Sequence, residues 1–232
     1  MRCDVIRNRL RTPGSVTFWD VILLSFRLFY HRILFWIRLN FRSFLIALPL
    51  VTAPGAAAAL YAVAAECLKD PEGIRVDPYR EMKQKFGRLV FRAFQLFIVK
   101  WGSLFVILVS MFFWGRREVW WLRSVYLIGL YALVMWLLAE NYLYPLLAAN
   151  PEASVFQVVK RSVLLVVSHP FESLILALVS DLLLFFGLIL MGPVMLVVPV
   201  LQAVLRIQMV WFLTDELIPG FIDPVEYINQ CG

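Results

Sequence analysis

Four long apolar runs, each with at most one charged residue, dominate the sequence. The runs are 43–65, which has no charge, 93–115 with Lys100, 124–149 with Glu140, and 173–205 with Asp181. A bilayer core needs ~20 apolar residues per helix, and an isolated strand would leave backbone groups unpaired in lipid. Helices are therefore predicted, and Gly192-Pro193 divides the last run into helices over 172–191 and 194–213.

The composition excludes several classes of protein. Hydrophobic residues make up 62% of the chain and charged residues 16%, against about 45–50% and about 25% in soluble domains. Cys3, Cys67 and Cys231 are too widely spaced to indicate a disulfide framework or a zinc site. The sequence predicts an all-α polytopic membrane protein that forms one integral membrane domain over 1–232. We expect about five or six membrane-embedded helices.

The first apolar run is interrupted by prolines, and the distribution of Lys and Arg indicates its topology. A single crossing over 43–66 would divide the basic residues almost evenly between the two sides. If 33–51 enters the bilayer and 55–68 returns, eighteen basic residues share one side and three the other, as the positive-inside rule favours. The sequence therefore predicts a broken hairpin whose returning arm crosses fully or is re-entrant. The predicted apex residues are Pro49, Thr52, Pro54 and Gly55.

The rest of the chain divides around this hairpin, with both termini expected in the cytoplasm. Amphipathic interfacial helices are predicted over 17–38 and 152–168. Asp77-Pro78 is typical of a helix start, and that helix is expected to continue into the span at 93. The predicted segments are a basic N-terminal segment 1–32, the hairpin 33–68, a basic cytoplasmic loop 69–92, a two-span hairpin 93–149, an interfacial helix 150–171, a two-span hairpin 172–213 and a tail 214–232.

Ionisable residues inside predicted spans are expected to have partners, because charges are costly in lipid. Lys100 and Glu140 lie at similar distances from a turn near 119–120, which predicts an interhelical ion pair. Asp181 lies near the middle of its span, and either Gln202 or Arg206 on the following helix is its predicted partner. Such a pair could fix helix register, or Asp181 could couple protons or substrate.

The sequence lacks recognisable catalytic and cofactor motifs. His31 and His169 fall on different elements, and neither a metal-ligand cluster, a nucleophile elbow nor a Gly-rich phosphate loop is present. We therefore predict no catalytic residue, no cofactor and no metal site. The basic residues beside the spans are expected to meet anionic lipid headgroups rather than nucleic acid.

The hairpin region carries a distinctive set of residues over 39–63, followed by an aromatic-basic helix at 79–97 and a Tyr-Pro-Leu-Leu run at 144–147. Its members are Asn40, Leu48, Pro49, Val51, Thr52, Gly55, Ala59, Leu60 and Tyr61. With these residues the chain resembles the YesL-like family of bacterial multi-span membrane proteins over about 30–215. Pro54 departs from the family pattern.

This resemblance implies a non-enzymatic protein of the bacterial inner membrane that is accessory to carbohydrate uptake or utilisation. A membrane transporter subunit or a second copy of the chain would then be its protein partner. One alternative is a small secondary transporter or channel that uses the broken hairpin and Asp181. Another alternative is a membrane enzyme.

Overall fold

The computed structural model describes residues 18–31, 33–49, 52–69, 78–115, 120–189 and 197–214. Helices account for nearly all of these residues. The N-terminal segment before 18, the Asp77 helix cap, the Gly192-Pro193 turn and the tail after Thr214 lie outside the described residues. The helices are α1 (Phe18–His31), α2 (Ile33–Ala47), α3 (Ala53–Lys69), α4 (Pro78–Gly115), α5 (Trp120–Ala149), α6 (Val155–Ser168), α7 (Pro170–Ile189) and α8 (Val198–Thr214).

This architecture confirms an all-α protein with membrane-spanning helices. Within the described residues, Arg80–Gly115, Ser124–Ala149 and Pro170–Gly187 are long and apolar enough to cross a bilayer. Two shorter apolar helices, Ala53–Leu68 and Val198–Thr214, accompany them. Helix α4 begins at Pro78 and continues without a break to Gly115, as predicted, so most of the segment assigned to a basic loop is helical.

The long helices α4 and α5 protrude from the rest of the protein. We call residues 97–115 and 124–137 the arms, and the remaining described residues the body. In the most apolar stretch of α4, only 6% of the residues are buried inside the protein. The arms touch each other closely where Gly129 faces Met111 and Gly115 faces Tyr126. Large side chains exposed on the arms include Phe97, Trp101, Phe105, Val109, Phe112, Leu127, Tyr131 and Val134.

The body is packed around α8. Of the 17 residues in this helix, 13 are buried, and α1, α2, α3, α5 and α7 all contact it. Helix α5 is exposed near its beginning, which is an arm, and buried near its end. The residues from Leu138 to Leu147 supply much of the core. Small residues make α3 thin: Ala56, Ala58 and Ala59 have no exposed surface, which permits the close backbone approach typical of membrane helices.

The hairpin is present, but its turn lies earlier than predicted. Thr52 closes the turn through its backbone N–H, which donates to the Pro49 carbonyl at 2.8 Å, and through its hydroxyl, which bonds to the Ile46 carbonyl. Pro54 and Gly55 belong to the first turn of α3 instead of the apex. Proline fits there because the first N–H groups of a helix have no intrahelical acceptor.

Helix α3 lies beside the basic half of α4 and not beside its arm. A Cβ at Gly55 would approach Val90 Cγ2 to 2.9 Å, so glycine permits this contact. Near the other end of α3, Glu66 Oε2 lies 2.5 Å from Lys85 Nζ. Gly55, near the start of α3, contacts Val90, and Glu66, near its end, contacts Lys85, which precedes Val90 in α4. The two helices therefore run antiparallel over residues 85–90 of α4.

The second helix that was predicted to be interfacial forms close to its predicted position. Helix α6 begins after Ser154, whose side chain caps the helix in a reciprocal arrangement with Gln157. Val158, Ser162 and Val166 face the body at a four-residue spacing, while Lys160 and Arg161 are exposed.

Candidate functional site

The ion pair between Lys100 and Glu140 is present in the structure. Lys100 Nζ lies 3.2 Å from Glu140 Oε2, and both side chains are about three-quarters buried, with exposures of 23% and 29%. Leu96 on α4 and Leu138 on α5 are the buried positions next to the arms. The pair therefore joins α4 to α5 at the boundary between body and arms.

The predicted pairing of Asp181 is wrong, because its neighbour Ser180 faces α8 instead. Gln202 Nε2 donates to the Ser180 carbonyl at 2.7 Å, and Arg206 Nε donates to the Ser180 hydroxyl at 3.4 Å. Ser180 is buried and Asp181 is exposed. Successive residues on a helix point about 100° apart, so only one of the two can face α8. Among the described residues, Asp181 has no hydrogen-bond or ion-pair partner.

Arg206 links α8 to two other helices through tyrosines. Its Nη1 donates to the Tyr61 hydroxyl at 3.2 Å. The ring of Tyr61 stacks on that of Tyr144, with centroids 5.9 Å apart and planes 17° apart. Together with Ser180 and Gln202, these residues form what we call the α8 network, which connects α3, α5, α7 and α8. Its donors and acceptors are largely satisfied by one another, as buried polar groups require.

Two further polar contacts in the body were not predicted. The Ser25 hydroxyl on α1 donates to Gln208 Oε1 on α8, and the Tyr142 and Ser173 hydroxyls lie 2.8 Å apart between α5 and α7. The signal for the first contact is present in the sequence. Gln208 lies on a different face of α8 from Gln202, and a helix with polar groups on two faces is disfavoured in contact with lipid.

The arrangement of these residues is suited to holding helices together. Its groups are a guanidinium, amides, phenols and hydroxyls that contact one another across helix interfaces. In the described part of the chain, no three His, Cys, Asp or Glu side chains are grouped so that they could hold a metal ion. Thr52, at the hairpin turn, bonds to carbonyls of its own turn.

The comparisons with known proteins found no matching family model, no matching curated protein and no matching solved structure. The resemblance to the YesL-like family therefore stays a prediction that depends on residues quoted from the sequence.

Proposed function

We propose that the chain is a non-enzymatic, accessory protein of the bacterial inner membrane that associates with a carbohydrate-uptake or carbohydrate-utilisation system. The carbohydrate part of this proposal depends on the resemblance over 39–63. The accessory role is supported by the contrast between the body, where the α8 network joins four helices, and the arms. The arms expose a long apolar surface that lipid or a partner protein must cover.

The observation that carries the proposal concerns the two groups that a transport path would use, Thr52 and Asp181. A transport path through the broken hairpin would need these two groups to face a shared polar cavity. The Thr52 hydroxyl instead bonds within its own turn, and the Asp181 side chain is exposed on α7. Arg206, one of the two predicted partners of Asp181, donates instead to Tyr61 and Ser180.

A flux measurement separates the accessory role from the transporter alternative. The purified full chain is reconstituted into proteoliposomes, and uptake of labelled sugars and of protons is measured. We expect no flux above that of empty vesicles, whereas deletion of the gene in its host should lower the initial rate of sugar uptake by whole cells. Flux by the purified chain that disappears in Asp181→Asn would instead support a transporter, and normal sugar uptake after deletion would contradict the carbohydrate role.

The proposed orientation has both termini in the cytoplasm. It is supported by the charge distribution, since the hairpin topology would place eighteen Lys and Arg residues on one side and three on the other. Single cysteines near residue 5 and at exposed Arg80 should both resist a membrane-impermeant maleimide applied to intact cells. Labelling at Arg80 without labelling at the N-terminal site would contradict the hairpin topology.

A further inference from the structure

A cleft of about 400 Å³ lies where the last turns of α5, α6 and α8 meet. Its polar lining includes Arg161, Ser168 and His169, and its apolar wall includes Leu164, Leu165 and Leu213. A concave, largely apolar surface with a few converging polar groups is the usual form of a small-molecule site. The volume falls within the range typical of such sites, about 300–1,000 Å³.

The cleft lies at the depth of the lipid headgroups. Ala149, which lines it, is the last residue of the span in α5, and His169 immediately precedes the span that begins at Pro170. The ends of two spanning helices therefore place the cleft at one membrane surface. An apolar wall at this depth is positioned to receive an acyl chain, and a polar group beside it can contact a headgroup.

Arg161 is available to bind an anion in this cleft. It is exposed and, among the described residues, forms no ion pair or hydrogen bond. No Asp or Glu is found among the described residues that line the cleft. A guanidinium prefers phosphate or carboxylate because its fork of N–H donors matches their oxygens.

Two helix ends supply the opposite polarity. The last carbonyls of a helix have no intrahelical partner, and the C-terminus carries a partial negative charge. Ala149 and Ser168, which end α5 and α6, both line the cleft, whereas the carbonyls one turn earlier, of Leu146 and Leu165, already accept from Asn150 and His169. The cleft therefore combines one cationic side chain with carbonyl acceptors, a set that suits a ligand bearing both an anion and an ammonium group.

We propose that this cleft binds a membrane phospholipid whose headgroup carries a phosphate and a primary ammonium, as phosphatidylethanolamine does. The phosphate contacts Arg161, the ammonium contacts the carbonyls at the helix ends, and one acyl chain lies along the leucine wall. This inference depends on the membrane placement of α5 and α7 and not on the proposed accessory role.

Lipid binding to the purified full chain in detergent tests the proposal. Native mass spectrometry measures the Kd for phosphatidylethanolamine, phosphatidylcholine and phosphatidylglycerol with identical acyl chains. We expect phosphatidylethanolamine to bind at least about fivefold more tightly than the other two, because choline has no N–H donor and glycerol has no positive charge. Equal affinity for all three lipids, or tighter binding of phosphatidylglycerol, would overturn the proposal.

Arg161→Gln and Lys160→Gln form a matched pair of variants. Both remove one positive charge from the exposed surface of α6, but only Arg161 lines the cleft. Loss of a charge-assisted hydrogen bond should weaken phosphatidylethanolamine binding about tenfold in Arg161→Gln, while Lys160→Gln should stay within about twofold of the wild type. Equal losses in the two variants would show general surface attraction and overturn the site.

Thermal stability and competition with a soluble headgroup ester provide two controls. Phosphatidylethanolamine should raise the Tm of the wild type and not that of Arg161→Gln, and the circular dichroism of the two proteins should match without lipid. Soluble glycerophosphoethanolamine, which has the headgroup and no acyl chains, should fail to displace the lipid at millimolar concentration. Displacement at equal concentration would show that the ligand is a free phosphate ester and not a lipid.

Discussion

The arms and helix α8 are both strongly apolar, yet they occupy opposite environments. Exposed aromatic and β-branched side chains cover the arms, whereas 13 of the 17 residues in α8 are buried. Lipid solvates a large apolar side chain as well as a protein core does, so apolarity alone cannot bring a helix into the centre of a membrane protein. The polar side chains Gln202, Arg206 and Gln208, together with the thin α3, distinguish the body from the arms.

Truncation of a large side chain should give the largest difference in unfolding free energy between the body and the arms. Leu205 in α8 is 2% exposed and Phe105 on an arm is 68% exposed. We expect Leu205→Ala to lower the free energy of unfolding by ~2–5 kcal/mol because it leaves a cavity. Phe105→Ala should cost less than ~1 kcal/mol, because this ring contacts lipid in both folded and unfolded states. Titration with sodium dodecyl sulfate in mixed micelles measures both, and equal losses would contradict the division into arms and body.

The ion pair at the boundary should give the next largest effect. Lys100→Glu and Glu140→Lys each place two like charges together in a mostly buried site, and we expect each to cost about 1–3 kcal/mol of unfolding free energy. The double variant restores the opposite charges, so it should recover most of that loss and most of the lost expression. A double variant no more stable than either single variant would show that the 3.2 Å contact does not contribute to stability.

The same substitution at two glycines of different regions should change stability in opposite directions. At Gly55, a Cβ would meet Phe86 Cε2 at 2.8 Å, whereas nothing lies within 4 Å of a Cβ at Gly102. We expect Gly55→Ala to cost ~1–3 kcal/mol through overpacking and Gly102→Ala to gain up to ~1 kcal/mol through helix propensity. Thermal unfolding followed by circular dichroism provides the comparison, and a gain at Gly55 would disprove close packing of α3 on α4.

The smallest expected difference in unfolding free energy is between substitutions in the α8 network and at the exposed Asp181 carboxylate. Gln202→Leu removes the hydrogen bond to Ser180 while keeping similar bulk, and should cost ~0.5–1.5 kcal/mol. Asp181→Asn should change the unfolding free energy by less than ~0.5 kcal/mol, as is usual for exposed positions. The same detergent titration measures both, and a larger loss for Asp181→Asn would indicate a partner for this carboxylate outside the described residues.

The sequence predicted depth along the helices better than the direction in which side chains point. Counting from the turn between α4 and α5 was sufficient to pair Lys100 with Glu140, because two antiparallel helices joined by a short turn have little freedom in register. The same counting identified Gln202 and Arg206 as partners of α7 but selected Asp181 in place of Ser180. Rotation about a helix axis depends on the packing of every neighbouring helix, and a mostly apolar sequence carries little information about it.

The position of the hairpin was also only partly predictable. Charge distribution indicated that the chain turns back, but it carried no information on which part of α4 the hairpin would contact. That choice depends on shape, since the glycine at 55 and the alanines of α3 fit closely against residues 85–90 of α4. The sequence predicts Pro54 at the turn because it interrupts the apolar run, although proline is equally suited to a first helical turn.

The continuity of α4 has a mechanical consequence. Its 38 residues form a rod about 57 Å long at 1.5 Å per residue, nearly twice the thickness of a bilayer core of about 30 Å. Helix α5 contains Pro145, whereas the interior of α4 contains no proline. Because no break separates the two parts, a change in the tilt of the arm would also change the orientation of the part of α4 in which Lys85 pairs with Glu66.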